Sequence, residues 1–131
     1  MVSCLRVMSV LSLSAGLVAC SATSTSTMTP EAKGLPAYTG KVFVTEKSLP
    51  PGTKFIEVGQ VEANIKSGYE SGTKLYPLLA DEARKLGANA VIEVGGGRRP
   101  TLLSWAAAFV YGKAIKIDNL EALKGVEGAE H

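Results

Sequence analysis

The chain has 131 residues, of which 46% are hydrophobic and 20% charged, with a formal net charge of +2. These values fit one domain around one compact core, and so even a charge balance argues against a nucleic-acid partner. The only cysteines are Cys4 and Cys20 and the only histidine is His131, which excludes a His-based catalytic pair or a His-rich metal site inside the fold by counting.

Arg6 is followed by an apolar run over residues 7–18, interrupted only by Ser9, Ser12, Ser14 and Gly16. A charged start followed by about a dozen apolar residues is the profile of a signal peptide. It is shorter than the roughly 20 residues that a membrane-spanning helix needs. The run closes on Leu17, Val18, Ala19 and Cys20, which resembles the bacterial lipobox. That resemblance implies cleavage after residue 19 and acylation of Cys20, whose several acyl chains would give stable anchoring. The plainer alternative is an ordinary cleavage site after Ala22, with Cys20 an incidental small residue. Ser21, standing where an acidic residue would favour retention, implies the outer membrane and a periplasm-facing domain. Removal of residues 1–19 takes away Arg6 alone among the charges and leaves 13 basic and 12 acidic residues. The mature chain then has neither a free thiol nor a disulfide. Residues 20–40 read as the lipidated cysteine and a flexible tether, dense in Ser, Thr, Pro and Gly and without periodicity.

The domain is expected over residues 41–118. A short β-branched and aromatic run at 41–46 predicts a strand, stopped by the Pro50, Pro51 and Gly52 turn. Residues 54–65 predict a second strand, with Phe55, Val61, Ala63 and Ile65 on one side, Glu62 and Asn64 on the other, and a bulge at Gly59. Leu75, Leu78, Leu79, Ala83 and Leu86 recur at three- and four-residue steps and predict one amphipathic helix. Thr73 is its expected N-cap, Pro77 sits near its start, and Gly87 supplies the left-handed C-cap. Asp81, Glu82, Arg84 and Lys85 then form a solvated face.

Residues 88–94 predict a third strand, broken by Gly95, Gly96, Gly97, Arg98, Arg99 and Pro100. Residues 102–117 predict a fourth. In this last run Leu103, Trp105, Phe109, Tyr111, Ile115 and Ile117 give a bulky face, and Ser104, Ala106, Ala108, Gly112 and Ala114 a smooth one suited to close packing by the helix. One helix cannot cover both faces of a sheet. Trp105, Phe109 and Tyr111 therefore either complete the core or form a candidate interface with another subunit or partner. Residues 119–131 read as a tail with a short helical turn at 120–124 and frayed ends. The expected fold is α+β, with a single helix packed on a small, curled, mainly antiparallel sheet of about four strands.

Arg98 and Arg99 after three glycines are the local candidate for anion binding, since guanidinium forks match phosphate and carboxylate groups. The segment lacks the lysine and hydroxyl residue of a P-loop, and a solvent-exposed connection is the plainer reading. Glu57, Glu62 and Glu93 lie on predicted strands, but nothing nearby suggests hydrolysis. No catalytic residue, metal ligand or cofactor is assigned.

The order of these elements, with Leu86, Gly87, Ala88, Asn89, Ala90 and Val91 and the closing Gly112, Lys113 and Ala114, resembles the YbjQ-type domain, a family labelled heavy-metal-binding. With the opening residues 41–61 it is also similar to RcsF-like envelope lipoproteins. The resemblance implies a one-helix domain that oligomerises in rings. A metal role does not carry over, because soft metals need clusters of Cys, His or Met, nor do the disulfides of the RcsF-like group. The expected function is a membrane-tethered, non-enzymatic interaction or self-assembly module of the bacterial envelope, partnered by the membrane and by an envelope protein or its own copies. A small-ligand or anion binder at an inter-subunit or loop site is the alternative, and an envelope-stress sensing role is the second.

Overall fold

The computed structural model describes residues 22–65, 71–101 and 105–131. The segments read as leader and as lipobox, with Cys20, and the portion of the fourth run at 102–104 lie outside the described residues. The fold is α+β. One helix packs on a sheet with strands β1 (Ala22–Met28), β2 (Phe43–Val44), β3 (Phe55–Ile65), β4 (Ala90–Arg99), β5 (Ala107–Ile117) and β6 (Ala129–Glu130). The six strands run in the order β1-β3-β5-β4-β2-β6. The sheet is mixed, since β2 lies parallel to β4 while the other pairs are antiparallel. Both features correct the expected four-stranded, mainly antiparallel sheet.

The two additional strands come from the segments read as tether and tail. Ala22–Met28 pairs along β3 from Ala22 opposite Ile65 to Met28 opposite Gly59. Backbone hydrogen bonds hold it, so its Ser and Thr side chains need no apolar period. Ser24 also donates to the buried Glu82 carboxylate at 2.7 Å. The tail returns across the sheet, where Val42 and His131 exchange backbone hydrogen bonds of 2.9 Å and the Thr45 hydroxyl donates to the Glu127 carbonyl at 2.5 Å.

The helix α1 (Tyr76–Leu86) begins two residues later than a cap at Thr73 implies. A 3-10 turn at Gly72–Leu75 precedes it, capped by Ser71 in place of Thr73. Gly87 closes it in the left-handed region at φ 87°, as the sequence predicts. Its apolar stripe meets Val58, Val61, Ala63, Ile65, Val91, Ala108, Val110 and Ala114 from the sheet. The small residues of β5 therefore do lie beneath the helix. Phe55 does not share the face of Val61: the register of β3 slips between Glu57 and Gly59, and the extra residue moves everything before it to the other side. At Gly59 an added Cβ would overlap the Thr27 carbonyl of β1.

The sheet's other face carries a second, smaller core. Ala90, Ile92, Ile115 and Ile117 pack there with Leu123, Phe43, Leu49 and Ala122. Asn89 pins this end. Its side-chain amide donates to the Ile117 carbonyl at 2.8 Å and accepts from the Ile117 N–H at 2.9 Å, in a buried setting. A side chain thus completes the ladder at the end of β5.

Three outcomes follow. Gly59→Val should lower stability by about 1–3 kcal/mol and increase hydrogen exchange in β1 specifically, measured by denaturant melts and exchange mass spectrometry. Asn89→Ala should cost about 1–3 kcal/mol, because it leaves the Ile117 backbone groups unpaired. Burial alone would raise the pKa of Glu82, but hydrogen bonds from Ser24, Lys85 and Ser26 outweigh it and hold the carboxyl below its ordinary value. Its stabilising contribution is full above the unfolded-state pKa and lost as pH falls through the lower folded value. Glu82→Gln should therefore flatten acid unfolding in that window, seen by circular dichroism across a pH titration.

Candidate functional site

The residues of interest lie where the second face is left uncovered. The tail cluster covers the end that holds Ile115 and Ile117. At the other end the register lines up two rows across the sheet. One is Thr25, Glu62, Tyr111 and Gly95, and the next is Thr23, Asn64, Phe109 and Gly97. The glycines sit on this face because of a second register shift, between Ile92 and Gly95, where Glu93 takes a left-handed φ of 52°. Far from breaking the strand, the glycine and arginine stretch continues β4 to Arg99. This corrects its reading as a connection.

With no side chain at Gly95, the Tyr111 ring lies across the strand; a Cβ there would come within 2.7 Å of Oη. Phe109 and Tyr111 stack with ring centres 6.3 Å apart and planes at 23°. The Arg99 guanidinium caps Phe109 at 4.7 Å from the ring centre. It also donates to Glu62 at 2.8 Å and to Asn64. Tyr111 remains 48% exposed. The result is a layered surface of carboxylate, guanidinium and two rings, held by pairing rather than by burial. Trp105 precedes β5 in a bend and is 87% exposed, so it extends beyond the strand instead of completing its bulky row.

The two arginines do not act as one fork. Arg98 pairs with Ala108 and Arg99 with Ala107, and neighbouring strand residues point to opposite faces. Arg99 is engaged as described, while Arg98 donates to the Ala106 carbonyl at 2.9 Å. The three strand carboxylates do not converge either. Glu57 accepts from Gln60 at 3.3 Å, Glu62 pairs with Arg99 and Glu93 with Lys113 at 3.0 Å. The hydrogen bond from Lys113 holds Glu93 below the usual carboxylate range, and the same bond raises Lys113.

A cleft on the helix side escapes sequence reasoning, because its walls are distant in the chain. It encloses about 300 Å³ between Gly95–Arg98, Ser71–Thr73, Tyr76 and Glu46, and adjoins a second of about 370 Å³ that shares Glu46 and Tyr76. The Tyr76 hydroxyl donates to Glu46 at 2.7 Å. Burial, then the hydrogen bond to Glu46 and its charge, push the Tyr76 pKa up to about 12, so the phenol stays neutral and keeps its proton on the Glu46 carboxylate. The His131 ring meets Tyr76 edge-on at 6.3 Å. Among the described residues, no three His, Cys, Asp or Glu side chains are grouped to hold a metal ion, and no helix is long and apolar enough to cross a membrane. No family model, curated protein or solved structure matches the chain.

Gly95→Ala should displace the Tyr111 ring while changing stability by no more than about 0.5 kcal/mol, since the clash is with the far end of a side chain. Nitration by tetranitromethane, mapped by mass spectrometry, should rise at Tyr111 alone; an unchanged pattern would show that the glycine does not set the ring's position.

Proposed function

We propose that the chain is a bacterial envelope lipoprotein of the YbjQ-type and RcsF-like kind, held at the outer membrane through lipid on Cys20 and facing the periplasm. Its domain is a non-enzymatic interaction module. The uncovered half of the sheet is its docking surface, for an envelope protein or a second copy of the chain. The observation that carries this reading is the Phe109 and Tyr111 stack, which lies on a half-face that neither the helix nor the tail covers. Stacked aromatics beside a paired arginine are the composition of interface centres, where large rings bring contact area at little entropic cost. The anchor rests on the lipobox residues at the end of the apolar run. The dispersed carboxylates favour binding over catalysis.

A second reading, a small polar ligand held in the helix-side cleft, is favoured by the Tyr76 and Glu46 pair that lines it beside Arg98. A photo-crosslinking residue at position 111 in the lipidated protein, activated in intact envelopes, should yield a discrete adduct with a polypeptide or with a second copy. The same probe at Lys116, on the opposite face, should not. Equal labelling from both positions would remove the docking surface. Cys20→Ala should abolish processing and membrane retention, read by metabolic labelling with a fatty-acid analogue; a variant still processed and membrane-bound would overturn the anchor.

A further inference from the structure

The end of the sheet that begins β1 is also the end that carries Trp105. Ala22 lies opposite Ile65, the last residue of β3, one step beyond the pairing of Asn64 with Phe109. Arg98 lies opposite Ala108 and Arg99 opposite Ala107, the first residue of β5. Ala22, Ile65, Ala108 and Arg98 are thus level across the sheet, and Trp105 lies three residues before Ala108, in the exposed bend that leads into β5 at this end. Cys20 is two residues from Ala22, and two residues reach at most roughly 7 Å. A lipid on Cys20 therefore leaves this end of the domain no room to stand clear of the headgroups.

The chemistry at this end suits that contact. An indole is an apolar body with one polar N–H and partitions to the boundary between headgroup and hydrocarbon. Trp105 offers it at 87% exposure. The hydrogen bond from Arg98 to the Ala106 carbonyl holds a guanidinium beside it, and cations next to interfacial aromatics favour phosphate-bearing surfaces. On the open face, Glu62 is paired with Arg99, so its carboxylate does not oppose the approach.

From this placement we propose that the Trp105 end of the domain seats on the phospholipid headgroup layer of the bilayer that holds Cys20, with the indole in the interface and Arg98 on lipid phosphates. The inference rests on the reading of Cys20 as the lipidation site. Trp105 is the one tryptophan of the chain, so intrinsic emission reports it alone. The full, natively lipidated protein is reconstituted in phosphatidylethanolamine and phosphatidylglycerol vesicles and compared with the Cys20→Ser chain in buffer. Expected are a blue-shifted emission, loss of iodide quenching, and strong quenching by lipids spin-labelled at shallow acyl positions. Arg98→Gln should reduce the spin-label quenching. If mass spectrometry finds acylated Cys20 while the emission and iodide quenching match the unlipidated chain, the seating is overturned and the anchor stands. Absence of acyl mass overturns both. A blue shift that spin-labelled lipids do not quench places the indole against protein and overturns the seating.

Discussion

A six-stranded sheet has two faces, and the described residues supply one α-helix. Eleven residues of helix span roughly 16 Å at the usual rise, about half the length of the long strands beneath it. Most of the architecture follows from that shortage. The helix takes the face where β5 presents alanine, valine and glycine, because small residues allow close approach. The segment before β2 fills out the same side through Ala32, Leu35 and Tyr38. The second face is left to whatever the rest of the chain can spare, which is the tail, and the tail reaches only half of it.

The uncovered half is stabilised sideways, through contacts between neighbours in the same layer. Two glycines lower the floor of β4 so that rings from β5 can lie across it. Arg99 then joins Phe109 to the carboxylate and amide of β3. An exposed ion pair alone contributes little, and here its main effect is geometric, since it fixes where the rings sit. A rigid, amphipathic surface can bind with little loss of side-chain entropy.

The helix, its glycine stop, the bulge at Gly59 and the alternation of bulky and small residues in β5 were legible in the sequence, because each is written in local spacing. The edge strands were not. Ala22–Met28 carries no apolar period, its pairing being made by backbone groups, and the hydrogen bond from Ser24 to Glu82 spans 58 positions. A charge on the helix that reads as solvated is in fact buried against that strand. The strand read at 41–46 is present, shortened to β2, but β6 falls below any periodic signal and the parallel pairing of β2 with β4 is set by distant contacts. The separation of Arg98 from Arg99 would follow from simple alternation, but three consecutive glycines read as the end of a strand and hide it. Phe109 and Tyr111 were found by their spacing; the Tyr76 and Glu46 cleft had no local signal at all.

The strand status of Ala22–Met28 also bears on how the domain can be handled in isolation. A soluble version trimmed to start near Lys41, the natural choice if the serine and threonine stretch were slack, would strip β3 of its outer neighbour. Seven residues of ladder, from Gly59 to Ile65, would face water unpaired, next to a carboxylate that has lost its hydroxyl donor. A long bare edge invites pairing with other chains. Self-association of such a fragment would then reflect the missing strand and say little about the assembly state of the intact protein.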